Sequence, residues 1–87
     1  MEIDYDVSKA KINLKKHEIS FEEAATSLYD PMALCAEDPD AKGEFRWILV
    51  GQSNQARLLT VVYTLRKERI RLISARKSTR REAKHYA

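Results

Sequence analysis

Apolar spacing and chain breakers along the 87 residues predict an α+β fold in the order βααββββα, with helices packed on one face of an antiparallel sheet. Three observations carry this. Two stretches of helical periodicity near the N-terminus each follow a capping residue. Four strand-like runs come next, joined by connectors too short for crossovers, which implies an antiparallel meander. A final capping signal then introduces a basic helix.

Residues 2–5 read as a short strand with Ile3 and Tyr5 on one face. Asp6 is a good N-cap for a first helix over 7–16, with Val7, Ala10, Leu14 and His17 at helical spacing. Lys15 and Lys16 suit the negative end of its dipole. Ser20 and Glu23 form a capping box for a second helix with Phe21, Ala24, Ala25 and Leu28 inward, ended by Asp30-Pro31.

The second strand is 32–36 and the third 44–51, separated by the polar loop EDPDAKG. SNQA is of a length that closes a hairpin into the fourth strand, whose two faces are both fairly apolar, as in a central strand. In RIRLISAR strict alternation places Ile70, Leu72, Ser74 and Arg76 on one face and Arg69, Arg71, Ile73 and Ala75 on the other. Thr79 and Glu82 form the last capping box, with a helix from Arg80 to the chain end.

This length suits a single domain over 1–87. A hydrophobic fraction of 44% suits a folded chain. No apolar run reaches the roughly 20 residues of a membrane span, and the N-terminal stretch is not a signal peptide. The lone Cys35 cannot form an internal disulfide, which fits a reducing cytoplasm; its apolar neighbours point to a buried structural thiol. The formal net charge of +3 hides a polar division. Residues 66–87 hold 9 of the 16 basic side chains against two acidic ones, whereas residues 1–65 are net acidic. A solvated face explains such a run as well as a phosphate-gripping surface does.

A glycine-rich phosphate loop and a zinc spacing are both absent. The acidic loop Glu37, Asp38, Asp40 lacks the glycine of a calcium-binding loop, so neither a metal nor a cofactor is expected. What remains is a cationic set near hydroxyl and aromatic groups. Arg80 and Arg81 open the last helix, where cations are disfavoured by about 0.3–1 kcal/mol each. A docked anion would account for them, as would simple tolerance of a small cost. Arg76 sits where a guanidinium can fork a phosphate, or else pair with Glu22 or Glu23.

The segments KINLKKHEISFEEAATSLYDPMAL, GEFRWILVGQS, RLLTVVYT and IRLISARKSTRREAKHYA resemble the BrnT toxins of bacterial type II toxin–antitoxin systems. The combination of N-x-x-K-H, S-F-E-E-A, E-x-R, I-R-x-I-S-A-R and E-x-x-x-Y carries the likeness over nearly the whole chain. The resemblance implies a RelE-like fold and a metal-independent ribonuclease that inhibits translation. It also implies a BrnA-type antitoxin that binds operator DNA. Two positions depart from the family pattern: Glu18 stands where a glycine is usual, and Ala41-Lys42 where a His-Ser pair often precedes E-x-R.

Metal-free RNA cleavage needs a base, an acid and stabilisation of extra phosphate charge. Arg46, Arg57, Arg76 and Arg80 are the expected charge stabilisers. Glu44 or His17 is the expected base, although Glu44 also suits a partner for Arg46 and His17 a structural role at a helix end. Tyr63, Arg66, Arg71 and Arg81 complete the expected RNA-binding set, with Tyr63 equally suited to the core. The alternative is an RNA- or ribosome-binding module without catalysis.

Overall fold

The computed structural model describes residues 2–86, in the expected element order. Strand β1 (Ile3–Tyr5) leads to helices α1 (Val7–His17) and α2 (Phe21–Ser27). Strands β2 (Leu34–Glu37), β3 (Trp47–Gln52), β4 (Leu58–Arg66) and β5 (Arg69–Lys77) follow, then the short helix α3 (Arg80–Lys84). The five strands form one sheet in the order β1-β5-β4-β3-β2. β2 to β5 are the expected antiparallel meander. The sheet as a whole is mixed, because β1 pairs with β5 in parallel, with Ile3 opposite Ile70 and Tyr5 opposite Leu72. The two are neighbours in space but lie at opposite ends of the sequence, so no short hairpin sets their direction.

Helices α1 and α2 lie on the side of the core made by Leu59, Val61, Leu72 and Ala75, with Ile19, Phe21 and Ala24 buried among them. Gly51 in β3 lets α2 come close: a Cβ there would stand 2.7 Å from the Ser27 carbonyl oxygen. The first helix does not bury the stripe its spacing suggests. Val7 and Leu14 are 64% and 50% exposed, while Asn13 is only 5% exposed. Its amide supplies hydrogen bonds that the β5 backbone otherwise lacks, and that outweighs the apolar pattern.

Glu18 adopts the left-handed conformation (φ 60°, ψ 27°) at the end of α1, so the turn expected of glycine is made without one. Ser20 caps α2 by accepting from the Glu23 amide, but the Glu23 side chain turns inward instead of closing the box. At α3 the box between Thr79 and Glu82 is complete. Cys35 is exposed on the edge strand β2, 3.2 Å from the Tyr63 hydroxyl, and is not the buried thiol expected from its neighbours.

The largest departure is a bulge. Val62 faces Ser74 and Tyr63 faces Leu72, so Ile73 is the extra residue on β5. Strict alternation fails at that point. Leu72 and Ala75 both reach the core, and Ser74 and Arg76 turn to the opposite face together with Arg71.

Candidate nucleic-acid interface

The sheet face turned away from α1 and α2 carries the cationic residues. Strand pairing defines its rows: Leu34, Val50, Thr60 and Arg76; Ala36, Ile48, Val62 and Ser74; Thr64, Arg71 and Asp4. Arg46 continues this face one step before β3, where its carbonyl accepts from the Asp38 amide at 2.8 Å and extends the ladder. The Nε of Arg46 is buried with no hydrogen-bond partner among the described residues. Along one margin, His17, Lys9, Lys16 and Asn13 of α1 form a shallow groove with Ile73 and Ser74.

Helix α3 sits over one end of this face. Arg76 grips Glu82 through both terminal nitrogens, each at 2.8 Å. The Thr60 hydroxyl donates to the same carboxylate at 2.9 Å and lies 2.8 Å from the Ser78 hydroxyl. The Thr79 amide adds a further bond at 2.8 Å. Arg76, foremost, and these other donors hold the Glu82 carboxyl down at a pKa of about 2, against the cost of its burial. At the other end of α3 the Tyr86 hydroxyl donates to Asp30.

The other expected site residues divide by location. Arg57 points to the helix side, where its guanidinium forks the buried carboxylate of Glu23, which also accepts from Ser53 at 2.6 Å. Arg57, foremost, holds the Glu23 carboxyl below the ordinary range. Arg66 pairs with Glu44 at 3.3 Å, which removes Glu44 from its suggested partner Arg46. Arg66 lies six residues along β4 from Thr60, about 20 Å at 3.3–3.4 Å per residue, so Glu44 and Arg76 do not share one phosphate.

Arg71 is 3.4 Å from Asp4. Tyr63 is stacked on Trp47 with centroids 6.0 Å apart, on the helix side of the sheet beyond the helices themselves. Burial, foremost, pushes its phenol well above the ordinary range, so it stays a neutral hydroxyl. Arg80 and Arg81 are exposed, and the capping box engages the flanking amides of Thr79 and Glu82. No helix among the described residues is long and apolar enough to cross a membrane.

Reading the sequence alone missed Thr60 and Ser78, and it missed Glu82 as the partner of Arg76. The Thr79-x-x-Glu82 box was the available signal, since it fixes a carboxylate six residues from Arg76.

The family model described as "Ribonuclease toxin, BrnT, of type II toxin-antitoxin system" matches residues 5–82. The chain belongs to the BrnT family. The match spans strands β2 to β5 and both N-terminal helices, so the BrnT fold and the cationic sheet face are one unit of sequence. A solved structure, the Brucella abortus ribonuclease toxin BrnT, superposes with a TM-score of 0.67 at 24% identity, covering 92% of this chain and 99% of that one. A comparison with curated proteins finds no match. Membership of a BrnT ribonuclease toxin family implies an RNA substrate and an antitoxin partner for this chain.

Proposed function

We propose that this BrnT-family chain is a metal-independent endoribonuclease of the cytoplasm that stops translation by cutting RNA. A BrnA-type antitoxin neutralises it and carries the complex to operator DNA. The observation that carries this reading is the placement of Arg46, Arg71 and Arg76 on one sheet face that α1 and α2 leave open. Guanidinium groups keep their charge at every working pH and match the two free oxygens of a phosphodiester.

In the proposed reaction the ribose 2′-oxygen attacks the adjacent phosphorus. A base takes its proton, the P–O5′ bond breaks, and the 5′-oxygen leaves with a proton, giving a 2′,3′-cyclic phosphate. Arg76 and Arg46 stabilise the extra charge on the phosphorane. His17, at the groove beside Ser74, lies at the margin of this face with an imidazole that can accept a proton, and takes the role of base. Arg71, Arg80 and Arg81 hold flanking phosphates. Arg57 is assigned to the fold, and Glu44 and Arg66 to the far end of the sheet. Tyr63 is assigned to the aromatic cluster with Trp47.

Purified chain incubated with RNA and a metal chelator is expected to yield cyclic-phosphate ends. Arg46→Ala with Arg76→Ala is expected to lower the rate by about 100-fold or more. Expression is expected to arrest growth, with rescue by the antitoxin encoded beside it. RNA bound but uncut, with or without divalent cations, would replace this reading with a non-catalytic RNA- or ribosome-binding module.

A further inference from the structure

We propose that the Glu82 carboxylate occupies a built anion site of Arg76, Thr60 and Ser78, and that an RNA phosphodiester takes its place when the protein engages RNA. The inference rests on the ribonuclease reading and gives it a gate.

The geometry around Glu82 is that of an anion receptor. Both of its oxygens are taken by the Arg76 fork at 2.8 Å, and one also accepts from Thr60 at 2.9 Å. A carboxylate and a phosphodiester both offer two oxygens in a plane to such a fork. Thr60 is only 2% exposed, and Ser78 at 2.8 Å positions its hydroxyl. These groups belong to strand β4, strand β5 and the turn after it, so they stay in place when α3 moves.

Helix α3 is suited to leaving. It has five residues and buries none of them. Among the described residues, the side-chain hydrogen bonds that tie it and the residues just after it to the sheet and loops are Glu82 with Arg76 and Thr60, and Tyr86 with Asp30. With Glu82 in place, Arg76 is neutralised and cannot bind a second anion with the same nitrogens. With Glu82 withdrawn, its fork joins Arg46 and Arg71 on the open face. RNA affinity is therefore scaled by the fraction of molecules in which Glu82 has left.

Glu82→Gln separates these roles, because glutamine still serves a capping box while the competing charge is gone. Binding of a 2′-O-methyl RNA oligonucleotide, which lacks the attacking hydroxyl, is measured by fluorescence anisotropy. Glu82→Gln is expected to tighten it by about fivefold or more, and Tyr86→Phe, which frees the other end of α3, by about twofold. Glu68→Gln, in the β4–β5 turn, is the charge-matched control and is expected to shift affinity less than about twofold. The gain is expected to vanish when Arg76→Ala is added.

The proposal is overturned if Glu82→Gln binds no tighter than wild type, if Glu68→Gln gains as much, or if the gain survives Arg76→Ala. If Glu82→Gln does not fold, unchanged affinity in Tyr86→Phe overturns it. Uncut natural RNA together with the Glu82→Gln gain would end the ribonuclease reading and leave the anion site standing.

Discussion

β1 ends opposite Leu72, but β5 continues to Lys77, and a side chain serves the bare edge between them. Asn13 Oδ1 accepts from the Ala75 amide at 3.0 Å, and its Nδ2 donates to the Ala75 carbonyl at 2.8 Å and the Ile19 carbonyl at 3.0 Å. One primary amide thus does for Ala75 what a neighbouring strand would do. Asn13→Leu leaves three buried backbone groups unpaired and is expected to cost about 2–4 kcal/mol in urea unfolding. Glu82 gives a second residue-scale expectation. Its folded pKa of about 2 lies below the ordinary glutamate value of 4.5, so its ion pair stabilises the fold above about pH 4.5. That contribution is lost as pH falls from 4.5 toward 2. Acid titration followed by circular dichroism is expected to show the stability gap between wild type and Glu82→Gln closing over that window. A constant gap would show that the ion pair does not stabilise the fold.

At the scale of elements, the end of α1 carries avoidable strain. A non-glycine residue in the left-handed region costs about 1 kcal/mol, and Glu18 is held there at φ 60°. Glu18→Gly is expected to raise stability by about 0.5–1 kcal/mol, seen as a rise in thermal midpoint of several degrees. Gly51→Ala is expected to act in the opposite direction. Its Cβ would meet the Ser27 carbonyl at 2.7 Å and Leu49 Cδ2 at 3.0 Å, forcing α2 off β3 at about 1–3 kcal/mol.

The elements themselves were largely legible in the sequence because capping residues and short connectors act locally. Asp6, Ser20 and Thr79 all cap the helices they were read to cap. The bulge at Ile73 was missed although it left a trace, since the adjacent apolar pair Leu72-Ile73 shifts the polar and apolar alternation of RIRLISAR by one residue. That one extra residue decides whether Arg76 shares a face with Arg71. Asn13 was hidden for a related reason: two of its three bonds go to Ala75, 62 residues away, at a strand edge that exists only once the sheet has formed.

Across the whole molecule, the division between an acidic front and a basic tail is partly cancelled by folding. Glu2, just before β1, and Asp4 on β1 lie against Arg69 and Arg71 on β5, Glu44 meets Arg66, and Glu82 meets Arg76. The basic tail was therefore legible as a stretch, but the arginines free to meet an anion were not, because each pairing depends on which strands become neighbours. RNA affinity should then reflect a few phosphate contacts and not the formal charge of the tail. A plot of log affinity against log salt is expected to have a slope of about −2 to −3, the value for three or four contacts on a single strand. A slope near zero would remove the guanidinium face from RNA binding.

The parallel pairing of β1 with β5 also has a consequence for biosynthesis. The last of the described strands, β5, lies between β1 and β4, and it supplies Leu72 and Ala75 to the core. A chain still attached to the ribosome, with β5 not yet emerged, has neither a seat for β1 nor a closed interior. It also lacks the Arg71 and Arg76 side chains. Such non-local closure slows folding and postpones it until β5 has emerged. The guanidinium face and the closed core are therefore acquired together, when β5 takes its place between β1 and β4.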